Sequence, residues 1–357
     1  MTSRQTVLVL FGGQSSEHRI SCLSASYVID TIRAGGLYDV LAVGITEDGR
    51  WFLTDAKRSE IADQSWKQKE NKRVYATADA SGSGFFIEED GRITPLKADV
   101  VFPVLHGKNG EDGTVQGLLD LAGIPYVGCG TLASAVAMDK DIAKQVFATA
   151  GIPQVDYLSV RQFEYDKDKL EKDVTSRIGY PCFVKPANAG SSIGVRKVKV
   201  PEALADAVEA AFEHDSKVLV EAASDGREIE VSVLGHDGDV MVSIAGEILP
   251  AAEFYDYEAK YDNPSSELLI PAPLPEETSR KIADLAARAF TAVGGSGLCR
   301  ADFFVENDRV YLNEINTMPG FTSISMYPKL MEASGVSGSE LVNRLIDIAF
   351  KAHEGVR

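Results

Sequence analysis

Chemistry concentrates first in residues 300 to 321, RADFFVENDRVYLNEINTMPGF. Two apolar, strand-like runs carry groups that a core strand does not need: Asp302 on the first, Glu314 and Asn316 on the second. They are joined around Asn307, Asp308 and Arg309. A two-residue loop sends Asp302 and Glu314 to opposite faces, because side chains alternate along a strand. A three-residue loop sets them opposite each other on one face, with Asn316 two residues on. Directly paired like charges are destabilising, so that register makes sense mainly with a cation between them. Oxygen-only ligands favour Mg²⁺ over a transition metal. The plainer alternative is a solvent-facing hairpin whose acids aid solubility. Three such groups beside MPG favour the metal site.

Other stretches offer complementary charge. In PCFVKPANAGSSIGVRKV, the small residues Gly190, Ser191, Ser192 and Gly194 leave backbone N–H groups accessible. Such a loop wraps phosphate oxygens, and Lys185 ends the strand before it. This is not a Walker A loop, and by itself it reads equally as a hairpin turn. Lys140 in MDKDIAK sits near a helix start. Glu221 and Glu228 flank a strand-to-strand link, where they can accept from an adenine amine and a ribose; singly, each reads as a surface acid. The turn FGGQSSEHRIS makes an anion-friendly helix start, yet it carries Glu17. Glu17 is either a capping partner or a seat for a substrate ammonium, and nothing local decides between them.

The elements that must position these groups follow from the apolar pattern. TVLVLF (6–11) is a continuous apolar run, the mark of a strand buried on both faces. DVLAVGI (39–45) and ADVVFPVLHG (98–107) repeat it with helical stretches between. The first third therefore reads as an open parallel sheet with helices, and the polar segment 55–82 as a surface insertion. TLASAVAMDKDIAKQVFATAG reads as one helix from Thr131, stopped by Gly151 and Pro153. Strands follow at 180–198 and 217–223, and a β-meander turns at HDGD. After a long aromatic and polar loop (254–273), a helix ends at Gly294. The hairpin comes next, and a helix spans about 338 to 353. The organisation read from this is 1–128, 129–221 and 222–357.

Bulk properties narrow the class. The chain has 357 residues, 45% apolar and 25% charged, so it is globular and too long for one small core. A net charge of −17 argues against a general nucleic-acid binder, since phosphate backbones need a basic surface. No apolar run is long enough for a membrane span. The four cysteines form no CxxC pair, which fits core residues in a reducing cytosol better than zinc ligands.

Taken in order, the segments GGQSSEHRIS, VFPVLHGKNGEDGTVQGLLDLAGIPYVG, MDK, VKPANAGSSIGV, FYDYEAKY, CRADFF and NEINTMPGFTSISMYP resemble the ATP-grasp ligases, and among them the D-alanine–D-alanine ligase family. The resemblance covers nearly the whole chain. LHGxxGEDG, EAKY and NTMPGFT are specific to that family and its close relatives; the VKP loop and the acid pair are shared more widely. It implies an α/β fold of three domains, with ATP held between the central and C-terminal ones. It implies ATP phosphates on Lys140, Lys185, the Ser192 loop and Lys260, adenine on Glu221, ribose on Glu228, and two Mg²⁺ (or Mn²⁺) ions on Asp302, Glu314 and Asn316. One D-alanine would be activated as an acyl phosphate and attacked by the amine of a second. Arg300 and the Gly320 N–H would hold the oxyanion. Glu17 would bind the first ammonium, with His106 nearby, and Ser191 and Tyr261 would link to Glu17 and shut the loop. Ser325 and Met326 would line the second carboxylate site. Tyr261 goes with D-alanine as acceptor; ligases making D-alanyl-D-serine or D-alanyl-D-lactate, and a relict nucleotide-binding module, are the competing readings. The resemblance also implies a cytoplasmic homodimer serving cell-wall synthesis.

Overall fold

The computed structural model describes residues 4–249 and 267–354. The run Thr6–Gly12 forms β1, with its apolar side chains buried as expected of a central strand. It is followed by α1 (His18–Gly35), β2 (Asp39–Ile45), β3 (Trp51–Thr54), α2 (Arg58–Ala62), β4 (Lys72–Ala76), β5 (Phe85–Glu89), β6 (Arg92–Pro95) and β7 (Val100–Pro103). The sheet order is β6-β5-β4-β3-β2-β1-β7. Only β1 runs parallel to its neighbours, β2 and β7. The strands from β2 to β6 pair antiparallel. The expected open parallel sheet is therefore a mixed one. Short links such as that between β2 and β3 are too short for the crossover that parallel neighbours need.

The segment 55–82 is also more than a surface insertion. It drives Trp66 fully into the core, edge-on to Phe11 with ring centroids 5.1 Å apart. Gly44 makes the space: a Cβ there would lie 2.4 Å from the indole ring.

The next elements are α3 (Thr114–Ala122), α4 (Thr131–Met138) and α5 (Lys140–Thr149). The single helix expected from Thr131 breaks at Asp139, which turns extended. Its carboxylate accepts from the Ile142 N–H at 3.1 Å and so caps α5. Lys217 then holds Asp139 at 2.7 Å and Asp141 at 3.3 Å. Then come β8 (Tyr157–Arg161), α6 (Lys167–Arg177), β9 (Cys182–Pro186), β10 (Arg196–Val198), α7 (Leu204–Phe212) and β11 (Lys217–Ala222). The four strands form an antiparallel sheet, β10-β9-β11-β8. Leu170 and Val174 of α6 and Val208 of α7 share its core.

The third sheet uses β12 (Arg227–His236), β13 (Asp239–Val242), β14 (Gly246–Leu249), β15 (Glu267–Leu269), β16 (Gly297–Glu306) and β17 (Arg309–Asn316), with α8 (Glu276–Ala292) between β15 and β16. Its order is β15-β14-β12-β16-β17, with β13 also on β12. Ile229, Val231, Phe303 and Leu312 line one face and share a core with Ile282 and Phe290 of α8 and Phe147 of α5. Alternation leaves the opposite face to polar groups. Finally, α9 (Met326–Ala333) and α10 (Gly338–Glu354) reach back to the first sheet. Tyr327, Leu341, Leu345 and Ile346 share one core with Val7, Phe11, Val28 and Phe102.

The hairpin resolves its two alternatives unexpectedly. Glu306 pairs with Arg309, so the loop has two residues. Yet Asp302 faces Glu314, because a bulge shifts the register between Asp302 and Phe303. Phe303 pairs with Leu312, which makes Asn313 the extra residue. The bulge restores the parity that the turn would have lost.

Candidate active site

One cleft of about 540 Å³ opens between the three sheets. Lys185 reaches it from the end of β9, and Ser191 and Ser192 from the loop that follows. Both serines take positive φ, at 51° and 58°, a backbone region that non-glycine residues enter only when held there. Glu17 holds the first of them. Its carboxylate accepts from the Ser191 hydroxyl at 2.5 Å and makes no helix cap. Glu17 therefore does not cap α1 but points across the cleft, only 8% exposed. The neighbouring glycines leave room for this carboxylate. A Cβ on Gly190 would lie 2.8 Å from the Glu17 carboxylate, and one on Gly107 2.5 Å from it.

Lys140, first residue of α5, bridges two walls. Its ammonium donates to the Ala189 carbonyl at 2.8 Å and lies 3.6 Å from Glu314. Glu221 and Lys185 share a face of the second sheet as diagonal neighbours. The Glu221 carboxylate is 2.5 Å from the Lys185 ammonium and 3.3 Å from that of Lys144. Burial pushes the Glu221 carboxyl up, but the two lysines outweigh it and hold it below the usual range. Burial holds Lys144 below the ordinary lysine range, with Glu221 opposing the shift.

The polar face of the third sheet forms the cleft floor. Glu230, Asp302 and Glu314 stand opposite one another on β12, β16 and β17, with Asn316 opposite Arg300. Arg300 grips Asp302 with a fork, at 2.7 and 2.6 Å, and lies 3.1 Å from Glu230. Asn316 donates to Asp302 at 3.1 Å. Such two-point contacts fix a guanidinium in direction as well as position. Glu228 lies on the same face, beside Phe304. The donor set of Asp302, Glu314 and Asn316 is oxygen-only and open to the cleft, which fits a hard divalent cation completed by phosphate oxygens and water.

A seam joins the first sheet's loops to segment 318–321. His106 contacts the Met318 carbonyl through Nδ1 at 2.9 Å and the Ser24 hydroxyl through Nε2 at 3.0 Å. A carbonyl only accepts, so Nδ1 carries the proton and Nε2 accepts from Ser24. Burial keeps the ring neutral, against the pull of Glu17. Ser24 also accepts from the Phe321 N–H at 3.1 Å. Glu111 accepts from the Gly107 N–H at 2.8 Å. Part of its surface faces the cleft, but its carboxyl is packed inside and burial, with Glu17 nearby, pushes it up to about 8. Gly320 sits on this seam; Ser325 and Met326 follow at the start of α9.

Comparison with known proteins adds an independent finding. Profiles described as D-ala D-ala ligase N-terminus and C-terminus match residues 6–129 and 146–347. The chain belongs to the D-Ala–D-Ala ligase family. A D-alanine–D-alanine ligase of Caldicellulosiruptor bescii is 49% identical across 97% of this chain and 95% of its own length. One from Ruminiclostridium cellulolyticum is 49% identical across 99% and 98%. Among solved structures, the VanG D-Ala:D-Ser ligase of Enterococcus faecalis superposes with a TM-score of 0.88 at 38% identity, covering 97% of this chain and all of that one. The D-alanine–D-alanine ligase of Coxiella burnetii gives 0.87 at 35% identity, covering 99% and 96%.

Every site residue expected for this ligase family that falls among the described residues lines the cleft. Lys260 and Tyr261 lie outside the described residues. Sequence reasoning passed over Ser24, Lys144, Glu111 and Glu230. Lys144 had a signal: it follows Lys140 by four residues, one helical turn on the same face. Glu111 stood inside the LHGxxGEDG motif without a role. Ser24 and Glu230 became visible only through contacts across the fold.

Proposed function

We propose that this chain joins two D-alanines into D-alanyl-D-alanine, cleaving ATP to ADP and phosphate, to supply peptidoglycan precursor. The observation that carries the reading is the convergence, in one cleft, of a phosphate-type loop with two lysines, an acidic floor and a forked arginine. On this reading Glu17 binds the ammonium of the first D-alanine, leaving its carboxylate to attack the γ-phosphate. Two anions repel on approach, and the ammonium groups of Lys140 and Lys185 offset that charge from the loop side, with Lys260 joining them. Asp302, Glu314 and Asn316 would hold Mg²⁺ or Mn²⁺, which supplies further neutralisation of phosphate charge.

The acyl phosphate then meets the amine of the second D-alanine, whose carboxylate lies toward Ser325 and Met326. Carbon–nitrogen bond formation places negative charge on the carbonyl oxygen. Arg300, already oriented by Asp302 and Glu230, and the Gly320 N–H receive it without reorganisation. Phosphate departs as the carbonyl re-forms. Ser191, held to Glu17, keeps the loop over the reacting groups, where excluded water cannot hydrolyse the intermediate.

The reading extends to a cytoplasmic homodimer. Among the described residues, no helix is long and apolar enough to cross a membrane. The test is phosphate release from Mg-ATP with D-alanine, beside L-alanine and no-amino-acid controls. Release that requires D-alanine, with D-alanyl-D-alanine as the product, supports the reading. Folded, ATP-binding protein that stays silent with D-alanine overturns it. Product analysis with D-serine and D-lactate present decides the acceptor; a depsipeptide as main product would replace D-alanine there.

A further inference from the structure

Lys144 is a buried cation that the ligation chemistry above does not use. It is 2% exposed and does not line the cleft. It projects from α5, one turn beyond Lys140, over the Tyr157 ring at 5.2 Å. On its other side it meets Glu221 at 3.3 Å, and Glu221 meets Lys185 at 2.5 Å. Burying a lysine this deeply carries a large desolvation cost. A neutral residue of similar length would fill the same space without that cost. The arrangement therefore suggests that the charge itself has a use.

The use follows from counting charges. Glu221 with Lys185 alone is a neutral, short, buried pair. In such a pair the carboxylate claims the ammonium outright, and little charge is left for a ligand. With Lys144 present, two cations share one carboxylate, and the trio carries a net positive charge. Lys185 is the member that faces the cleft. We propose that Lys144 is a positioning residue for Lys185: by sharing Glu221 it leaves the Lys185 ammonium available to the phosphates of a nucleotide. Lys144 touches neither nucleotide nor reacting atoms. The inference rests on the ATP-dependent ligase reading.

The test compares K144M, K144R, K185M and K144M/K185M with the wild type in the full chain. Readouts are ATP KM, kcat and calorimetric ADP affinity, with thermal melts to establish folding. K144M should raise the ATP KM and weaken ADP about 10- to 100-fold, the equivalent of one charge-assisted contact, with kcat at saturation within about threefold. K144R should keep near wild-type values, since it retains the charge. K144M/K185M should bind ADP within about threefold of K185M alone, because Lys144 acts through Lys185.

Unchanged ADP affinity in K144M overturns the proposal. So does K144R behaving like K144M, or losses in K144M and K185M that add in full in the double variant. Should K144M fail to fold, K144Q takes its place, since it too removes the charge. A loss of ADP affinity of about 10- to 100-fold in K144Q then supports the proposal, and affinity within about threefold of wild type overturns it. Wild-type protein that binds no ADP would instead sink the ligase reading, which keeps the two failures apart.

Discussion

The seam at Ser24 carries a prediction that links stability to turnover. Its hydroxyl is fully buried and serves two groups across the fold, the Phe321 N–H at 3.1 Å and His106 Nε2 at 3.0 Å. Ser24→Ala removes one oxygen and strands both. Each buried group left without a partner costs about 1–3 kcal/mol, so the variant should lose about 2–6 kcal/mol. At about 2–4 °C per kcal/mol for chains approaching this size, the melting temperature should drop by several degrees. Phe321 directly follows Gly320, whose N–H is assigned to the oxyanion. Deleting such a donor costs about 10²–10³ in kcat; loosening it should cost less, about 10- to 100-fold. Lys140 and Lys185 do not touch this seam, so the ATP KM should stay within about twofold. The assay is steady-state phosphate release at saturating D-alanine, beside a thermal melt. A variant with unaltered melting temperature and kcat within twofold of wild type would refute the seam's role. A raised ATP KM with unchanged kcat would show that Ser24 acts elsewhere.

Asp302→Asn and Glu314→Gln should each lower turnover by about 10² or more, because both remove charge that would hold the cation; near wild-type kinetics across a Mg²⁺ titration would remove the metal assignment. Glu111 gains its proton on folding, since burial lifts it from 4.5 to about 8. The folded state thus holds a proton that the unfolded chain has released across that window, and Glu111's contribution to stability is lost as pH rises from 4.5 through about 8. Glu111→Gln should flatten that part of the melting-temperature profile, and parallel profiles would contradict the assignment. Trp66→Ala should cost about 3–5 kcal/mol, read as a large fall in melting temperature; an unchanged melt would restore segment 55–82 to a surface role.

Much of the site was legible because its chemistry is local in sequence. Lys185 and the Ser191 loop are a few residues apart, and Asp302, Glu314 and Asn316 sit on one hairpin. What remained illegible depends on residues that only tertiary structure brings together. A two-residue turn should have separated Asp302 from Glu314, and only the bulge at Asn313 reunites them. Helical periodicity ran unbroken through Asp139, whose capping role depends on a local turn and whose charge is held by Lys217, 78 residues on. Polar composition concealed Trp66, because it, Ile61 and Val74 are scattered through a charged segment and leave no periodic trace. The three strands expected to be parallel, β1, β2 and β7, are so; what the sequence reading missed is the antiparallel extension β3 to β6, whose short strands carry too little pattern to register.

The packing of α10 against α1 and β7 has a consequence for synthesis. A ribosome releases the chain from its N-terminus, so β1, α1 and β7 emerge long before residues 338–354. Until then the wall that Leu341, Leu345 and Ile346 provide for Val28 and Phe102 does not exist. Domains generally fold as units, and exposed apolar surface invites aggregation while they wait. Segment 318–321 is likewise made late, yet it must dock on Ser24 and His106 near the beginning. A chain cut short of that segment lacks the Gly320 N–H proposed above for the oxyanion, and one cut short of residue 338 leaves its first core open. On the proposed roles, ligation therefore waits until both ends have met.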